Sequence, residues 1–406
     1  MLGLGHRSET VHRSNLSAIV RELHEHGPLS RSELGVRTGL TRSAIRVLIG
    51  ELTELCLVGE GTAAALGTPG RPSSLVRPNP LGAIVLGIDV AVDSVGVAVV
   101  GLGGEILHQV RIDRPRGRIS VDQTVADLVE LVNVVWAKAP GREALVGIGV
   151  AVAGLVRRRD GLVYIAPNLG WRDVPFGAQL SEALQATVPL TVANEADLGA
   201  LAEHRRGAAI RAENLIYISG EVGVGGGVIV DGRPLAGVAG YGGEVGHMPV
   251  NPNGIACRCG SCGCWETEIG EGALLLRAGH PPGGGRGEVD LVLQEAAAGV
   301  PEALNAVDNV GRWLGVGLAI LVNVFDPEVI VLGGLLGRLH PLVLSTVEAE
   351  LDRLALQASR GLVRVVPSRL GGDASLLGAA ERAFEPMLSD PFGWAGVRTA
   401  PIAASA

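Results

Sequence analysis

Lysine is almost missing from this chain. Lys138 is the only one, so nearly all positive charge sits on arginine, a usage that reflects coding bias more than function. Long uncharged apolar runs are missing too. Asp89 and Asp93 interrupt the first hydrophobic stretch and Asp326-Pro327-Glu328 another, so no segment reaches the uncharged length of a spanning helix. The opening Met-Leu-Gly-Leu-Gly-His-Arg has no secretion-signal core. These absences lead us to expect a soluble, cytoplasmic protein with no membrane contact. Cysteine is scarce at five residues, yet four of them, Cys257, Cys259, Cys262 and Cys264, fall within eight positions. In a reducing compartment such a cluster is rarely a disulfide framework.

The 406 residues present are too many for one ordinary domain, so two or three compact units are expected, and 47% hydrophobic composition is ample for their cores. The net charge of −8 is unevenly placed: residues 1–80 hold nine arginines against seven acids, a balance of +2, which leaves −10 for the remainder. Nucleic acid, if bound, should meet the first 80 residues, because phosphates repel the acidic rest.

Residues 15–60 read as three short helices. Leu16, Ile19, Val20 and Leu23 recur at helical spacing, and His26-Gly27-Pro28 ends that helix. Ser30 and Glu33 form a capping box for a second helix, and Gly39 makes the turn. Thr41 caps a third helix whose inner face is Ile45, Leu48, Ile49, Leu52 and Leu55, which is helix-turn-helix spacing. Leu57 to Arg77 reads as a hairpin, a wing, around Gly67-Thr68-Pro69-Gly70-Arg71-Pro72, and Pro78-Asn79-Pro80 marks a boundary. Beyond it, Ile84–Val90, Ser94–Val100 and Ile106–Ile112 read as strands. A second such set spans 215–219, 225–230 and 233–235, and helical stretches follow each. A strand-rich opening used twice suggests two related lobes with a cleft between them. His280 to Gly287 reads as a loop, and the chain after Pro386 as a frayed tail.

The cysteine cluster lies between Gly243-Glu244-Val245-Gly246-His247 and Trp265-Glu266. Thiolates this close, with a histidine nearby, suit tetrahedral zinc; redox-active or merely buried thiols are the plainer alternative. This stretch, Gly243-Glu244-Val245-Gly246-His247 followed by Cys257-x-Cys259-Gly260-x-x-Gly263-Cys264-x-Glu266, resembles the ROK family (repressors, open reading frames and kinases), in particular its regulators. Supporting stretches are 193–203, 326–334 and 375–380, and the likeness runs from about Asn15 to Ala383.

The resemblance implies an α/β, actin/hexokinase-like pair of lobes preceded by a winged helix-turn-helix. The divisions expected are residues 1–80 for the head, 81–195 for the first lobe with the helix at 375–386 returning to it, 196–374 for the second lobe with the knot, and 387–406 for a flexible tail. It further implies a structural zinc held by His247, Cys257, Cys259 and Cys264; Cys262 stands at a position that the family motif leaves free and could compete as a ligand. Sugar contact falls to Asn194, Glu195, Glu244, His247 and Glu266, carboxylates and amides that read vicinal hydroxyls. Asn168 and Trp171 could line the same cleft or pack in the core.

Kinases of the family carry Asp-x-Gly-Gly-Thr in the first strand turn, Gly-Thr-Gly-x-Gly-Gly-Gly in the second, and a catalytic aspartate after an asparagine. Here those positions read Asp89-Val90-Ala91-Val92-Asp93, Glu221-Val222-Gly223-Val224-Gly225-Gly226-Gly227 and Glu195. Lost glycines and added carboxylates oppose phosphate binding, so no enzyme activity is expected. On the head, Arg42, Ser43 and Arg46 share the outer face of the third helix and should meet base edges, with Thr41 at its start. Arg31 and Arg37 should meet phosphates and Arg71 a minor groove. A protein-binding module is the rival reading of the head. The expectation is a sugar-responsive regulator, a repressor that binds a double-stranded DNA operator as a homodimer or homotetramer. The rivals are an ATP-dependent sugar kinase with an appended head and a zinc sensor.

Overall fold

A computed structural model describes residues 4–62, 74–117 and 119–398. The head begins with α1 (Leu4–His26), longer toward its start than the apolar repeat alone suggested. It continues through β1 (Leu29–Ser30), α2 (Arg31–Thr38) and α3 (Arg42–Glu54). The capping box of Ser30 and Glu33 is formed, Gly39 closes α2 in the left-handed conformation, and the Thr41 hydroxyl accepts from the Ala44 amide. Ile45, Leu48, Ile49 and Leu52 are buried, as their spacing requires. The wing strands β2 (Val58–Thr62) and β3 (Ser74–Pro78) pair antiparallel, and β3 also pairs β1. The wing tip, with Arg71, lies outside the described residues.

The first lobe has a five-stranded sheet of β4 (Ile84–Val90), β5 (Ser94–Gly101), β6 (Ile106–Asp113), β7 (Leu145–Val152) and β11 (Leu190–Asn194), in the order β11-β7-β4-β5-β6. A small sheet of β8 (Leu155–Arg157), β9 (Leu162–Ala166) and β10 (Trp171–Val174), with α4 (Val121–Trp136) and α5 (Phe176–Ala183), completes it. Chain then passes through α6 (Glu195–Arg206) to the second lobe. There β12 (Leu215–Gly220), β13 (Val224–Val230), β14 (Arg233–Pro234), β15 (Val329–Gly333) and β16 (Arg364–Pro367) form a sheet in the order β14-β13-β12-β15-β16. Each sheet is an antiparallel meander of its first three strands, with the fourth and fifth added in parallel to the first. The twice-used opening therefore reflects two lobes of one topology.

Around the second sheet lie α7 (Glu266–Ile269), α8 (Glu271–Arg277), α9 (Gly285–Ala297), α10 (Pro301–Phe325), α11 (Gly334–Leu354) and α12 (Gln357–Arg360). α10 is the one helix among the described residues long and apolar enough to cross a membrane. Its Leu314, Leu318 and Val322 are instead buried in the lobe core with residues of α8, α9 and α11.

α13 (Ala374–Ser389) returns to the first lobe and lies directly on β4 and β7. The approach is so close that a side chain at Gly149 would collide with the Ala379 carbonyl. α13 also packs along α6. The expected frayed tail is corrected as far as Arg398: α13 runs through Pro386, and α14 (Pro391–Arg398) follows and packs on α1, while residues 399–406 of that expectation lie outside the described residues. Phe384, Met387 and Leu388 are buried, and that burial holds the segment helical beyond the proline. One continuous core joins Leu16, Ile19 and Leu23 of the head to Val85, Ala98, Ala380 and Phe384 of the first lobe.

Candidate functional site

A cavity of about 980 Å³ separates the lobes. It lies at the carboxyl ends of parallel strands, where open α/β sheets leave room for ligands. Asp89 is the penultimate residue of β4, and Asn168 sits in the turn between β9 and β10. Glu195 opens α6, Glu221 lies in the turn between β12 and β13, and Glu244, His247 and Glu266 enter from the knot side. All of these line the cavity.

Asn194 departs from its expected role. Its amide oxygen accepts from the Ala196 and Asp197 amides at 2.7 and 3.3 Å, and its Nδ2 donates to the Gly154 carbonyl at 2.9 Å. It caps α6 and so positions Glu195, and it is not among the cavity-lining residues. Trp171 is likewise a core residue: it is buried against Phe176, and its Nε1 donates to the Ile119 carbonyl. Ser375, at the start of α13, lines the cavity and donates to the Glu195 carbonyl at 3.1 Å.

The cavity is rich in carboxylates that hold one another's protons. Withdrawal from water, helped by Asp89, Glu221 and Asp93, pushes Glu195 up to about 8. Burial and then Glu244 push Asp197 up to about 7, against the pull of Arg158. Glu221 and Glu244 are raised as well, burial being the main cause for each. At neutral pH, Glu195 is an O–H donor, suited to a hydroxyl oxygen. Asp89 is tied to Arg111 at 2.9 Å through Oδ2.

In the knot, the ligand atoms of His247, Cys257, Cys259 and Cys264 all lie within 4.8 Å of one another. Cys259 and Cys264 sulfurs are 3.6 Å apart, and Cys257 Sγ is 3.7 Å from His247 Nδ1. Corners of a tetrahedron around zinc at ordinary bond lengths stand about 3.7 Å apart, so this donor set fits the metal. Cys262 is exposed and is not part of the cluster. The knot reaches the cavity twice: Cys257 Sγ is 3.2 Å from Glu266 Oε1, and Arg258 donates to Asn168 at 2.6 Å. The role of Arg258 was missed by sequence reasoning, although the residue lies inside the quoted motif.

On the head, Thr41, Arg42, Ser43 and Arg46 are exposed along the start of α3, and neither arginine has an ion-pair partner among the described residues. The Thr41 hydroxyl also lies 3.1 Å from that of Ser43. Arg31 pairs with Glu60 on the wing, and Arg37 with Glu22 at 3.2 Å.

Against known proteins, the model of the ROK family matches residues 85–385. The chain belongs to the ROK family. A xylose repressor of Bacillus spizizenii is 31% identical over 386 residues, 93% of this chain and 97% of that protein. A glucokinase of Streptomyces coelicolor is 32% identical over 324 residues, 75% of this chain and 98% of that protein. A solved ROK family transcriptional regulator, homolog of the E. coli MLC protein, superposes with a TM-score of 0.77 at 27% identity, covering 96% of this chain and 99% of that one. The two-lobed, actin/hexokinase-like architecture with a head is thus shared with a ROK regulator over nearly its whole length. The Streptomyces coelicolor glucokinase is matched over nearly its whole length by only three quarters of this chain.

Proposed function

We propose that this protein is a sugar-responsive DNA-binding transcriptional regulator, a repressor released by a monosaccharide or sugar derivative. One observation carries the reading. The likeness to the xylose repressor extends over 93% of the chain and so takes in most of the winged head, which the family model from residue 85 leaves out. The head offers Arg42, Ser43 and Arg46 to base edges, with Arg31, Arg37 and Arg71 for backbone and wing contacts. Two-fold symmetric operators require at least a dimer, a homodimer or homotetramer. Such a regulator works in the cytoplasm.

The sugar occupies the cavity against Glu195, Glu244, His247 and Glu266, with Asn194 holding the first of these in place. Zinc, bound by His247, Cys257, Cys259 and Cys264, supplies structural bracing, because four protein ligands leave no position for a catalytic water. The sugar acts by favouring a lobe arrangement that disfavours DNA.

The glucokinase relative favours a second reading, an ATP-dependent sugar kinase with an appended head. Glu195 in place of a catalytic aspartate counts against it, because one extra methylene moves the base by about 1 Å and misplacement on that order costs about a hundredfold in rate. The carboxylates Asp93 and Glu221 in the strand turns also count against it, since they add negative charge where phosphates would lie. Two measurements test the function. In a thermal-shift screen of monosaccharides, one or more should raise the melting temperature, since any ligand of the folded state does so. With that sugar and ATP, a coupled assay should show no turnover; turnover of about one per second or more establishes the kinase instead.

A further inference from the structure

The two rims of the cleft are bridged very unequally. Beside the strand turn at Asp93, Arg116 follows β6 of the first lobe, and Glu271 opens α8 of the second. Arg116 donates through both terminal nitrogens to the two Glu271 oxygens, at 2.6 and 2.9 Å, and Nη2 also reaches Asp93 Oδ2 at 3.1 Å. Arg286, from α9 of the second lobe, donates to the other Asp93 oxygen at 3.2 Å. Two cations and two carboxylates thus alternate across the gap, each lobe supplying one of each sign. Arg116, Asp93 and Glu271 keep only 20, 17 and 5% of their side-chain surface exposed, so water and salt screen them weakly. The loop bearing Asp93 is braced from its own lobe: Arg114 donates to the Ala91 carbonyl at 3.0 Å, and its amide to the Asp93 carbonyl. The other links across the cleft are not ion pairs: the exposed Arg258 meets a neutral amide, Asn168, in one hydrogen bond, the Arg158 amide donates to the Ala239 carbonyl at 3.1 Å, and the Tyr164 and Tyr241 rings lie 6.1 Å apart. Bidentate charged pairs are roughly twice as strong as single bonds to neutral groups and hold orientation as well.

We infer that the Arg116–Glu271–Asp93–Arg286 network is a permanent pin between the lobes, so that the cleft opens only away from it, by release of Arg258 from Asn168 and parting of Arg158 and Tyr164 from Ala239 and Tyr241. The lobes are also joined at the floor, where α6 and α13 pack together. With floor and one rim held, the remaining freedom is a swing of the knot away from the turn at Asn168. A ligand therefore enters past Arg258. Arg116 is a positioning residue, and this role does not depend on which ligand the cavity takes.

Amide hydrogen exchange of the full-length protein, read by mass spectrometry, tests the pin without a ligand. In the unaltered protein, segments 167–170 and 255–261 should exchange faster than 91–94 and 270–276. Arg116→Gln should speed exchange in 91–94 and 270–276 at least tenfold and leave β2 and β3 of the head unchanged. Adding Glu271→Gln should bring no further rise, because the partners share one interaction. Arg258→Ala should affect only 167–170 and 255–261. Unchanged exchange at 91–94 and 270–276 in folded Arg116→Gln protein overturns the pin. If Arg116→Gln does not fold, the milder Asp93→Asn decides the matter: a local rise in the same two segments supports the pin, and an even rise along the chain, or none, overturns it.

Discussion

His24 and Glu381 meet at 3.1 Å with virtually no exposure of either side chain, one on the first helix of the head and the other on α13 of the body. The Gly103 amide donates to His24 Nδ1 at 3.0 Å, and His24 Nε2 faces both the Glu381 carboxylate and Arg206 Nη2, at 3.1 and 2.8 Å. Arg205 and Arg206 of α6 donate to the same carboxylate. Burial alone would raise the Glu381 carboxyl, but His24 and Arg206 outweigh it and hold the group well below the usual range. Head, cavity floor and first lobe thus share one buried charge cluster.

Replacing Glu381 by glutamine removes the carboxylate that His24, Arg205 and Arg206 share; Arg205 keeps Glu385 at 3.1 Å, whereas Arg206 loses its ion-pair partner. Glu381→Gln should lower unfolding stability by about 3–5 kcal/mol, the usual cost of breaking a buried pair from one side. The pH dependence has a definite sign. A depressed folded value contributes stability above the unfolded value near 4.5, lost as pH falls through the folded one. Glu385, which burial opposes but Arg21 holds down to about 2, acts in the same direction. Denaturant titrations between pH 7 and 3 should therefore show a steep loss at the acid end that is shallower in Glu381→Gln; equal slopes would contradict it.

The knot bears on the body through Trp265, which follows Cys264, is fully buried, and donates from Nε1 to the Trp313 carbonyl of α10 at 2.8 Å. Removing a metal from the His247–Cys257–Cys259–Cys264 set should loosen Trp265 and displace Glu266, whose carboxylate lies 3.2 Å from Cys257 Sγ. Chelation should shift tryptophan emission to the red and weaken sugar binding about tenfold or more, in line with the effect of disturbing metal surroundings. Unchanged emission and sugar affinity in metal-free protein would show that the knot does not brace the site.

Much of this was legible where information is local. The Ser30–Glu33 capping box, the buried face of α3 and the spacing of the knot ligands His247 to Cys264 are each set within one short stretch of chain, and they stand where expected. Strand positions were readable because β-branched runs end at tight turns. What was not legible depends on distant partners. Leu16, Ile19 and Leu23 announce a buried face but not that Phe384 covers it. Arg116 and Glu271 are 155 positions apart, and no spacing rule joins them. Asn194 carried a readable cap signature, an asparagine before a helix with Glu195 and Asp197 in its first turn, but family likeness drew attention to sugar contact instead. Pro386 looked like a stop, yet Phe384, Met387 and Leu388 bury enough apolar surface to override it.

Arginines of the head should separate into two kinds. Arg42 and Arg46 are exposed along one face of α3 and have no ion-pair partner among the described residues, whereas Arg31 and Arg37 already neutralise Glu60 and Glu22. Arg42→Ala should cost about 1–3 kcal/mol on operator DNA and relax base preference. Arg31→Ala should weaken all sequences alike and by less, because a phosphate must first draw Arg31 from Glu60. Binding curves on operator and scrambled duplexes at two salt concentrations distinguish them; full affinity for both variants would remove α3 from the DNA interface.

Glu195 should make its presence felt in alkali. Its carboxyl is raised to about 8 by withdrawal from water and by Asp89, Glu221 and Asp93, against about 4.5 for an unperturbed glutamate. The folded protein therefore keeps a proton that the unfolded chain releases between these values. Its contribution to stability is complete below about 4.5 and is lost as pH climbs through about 8. Glutamine is uncharged and nearly the same size, so Glu195→Gln should leave stability little changed at pH 5. At pH 9 it should raise it by on the order of 1–3 kcal/mol, a range discounted for water in the cleft. The same variant keeps a hydrogen-bond donor at the position and should retain sugar binding within about tenfold at pH 6, while the unaltered protein loses affinity above pH 8 as the donor proton leaves. Unfolding free energies and sugar titrations at pH 5, 7 and 9 provide the check. A pH slope in Glu195→Gln as steep as in the unaltered protein would place the titrating group elsewhere, with Asp197 the next residue to replace.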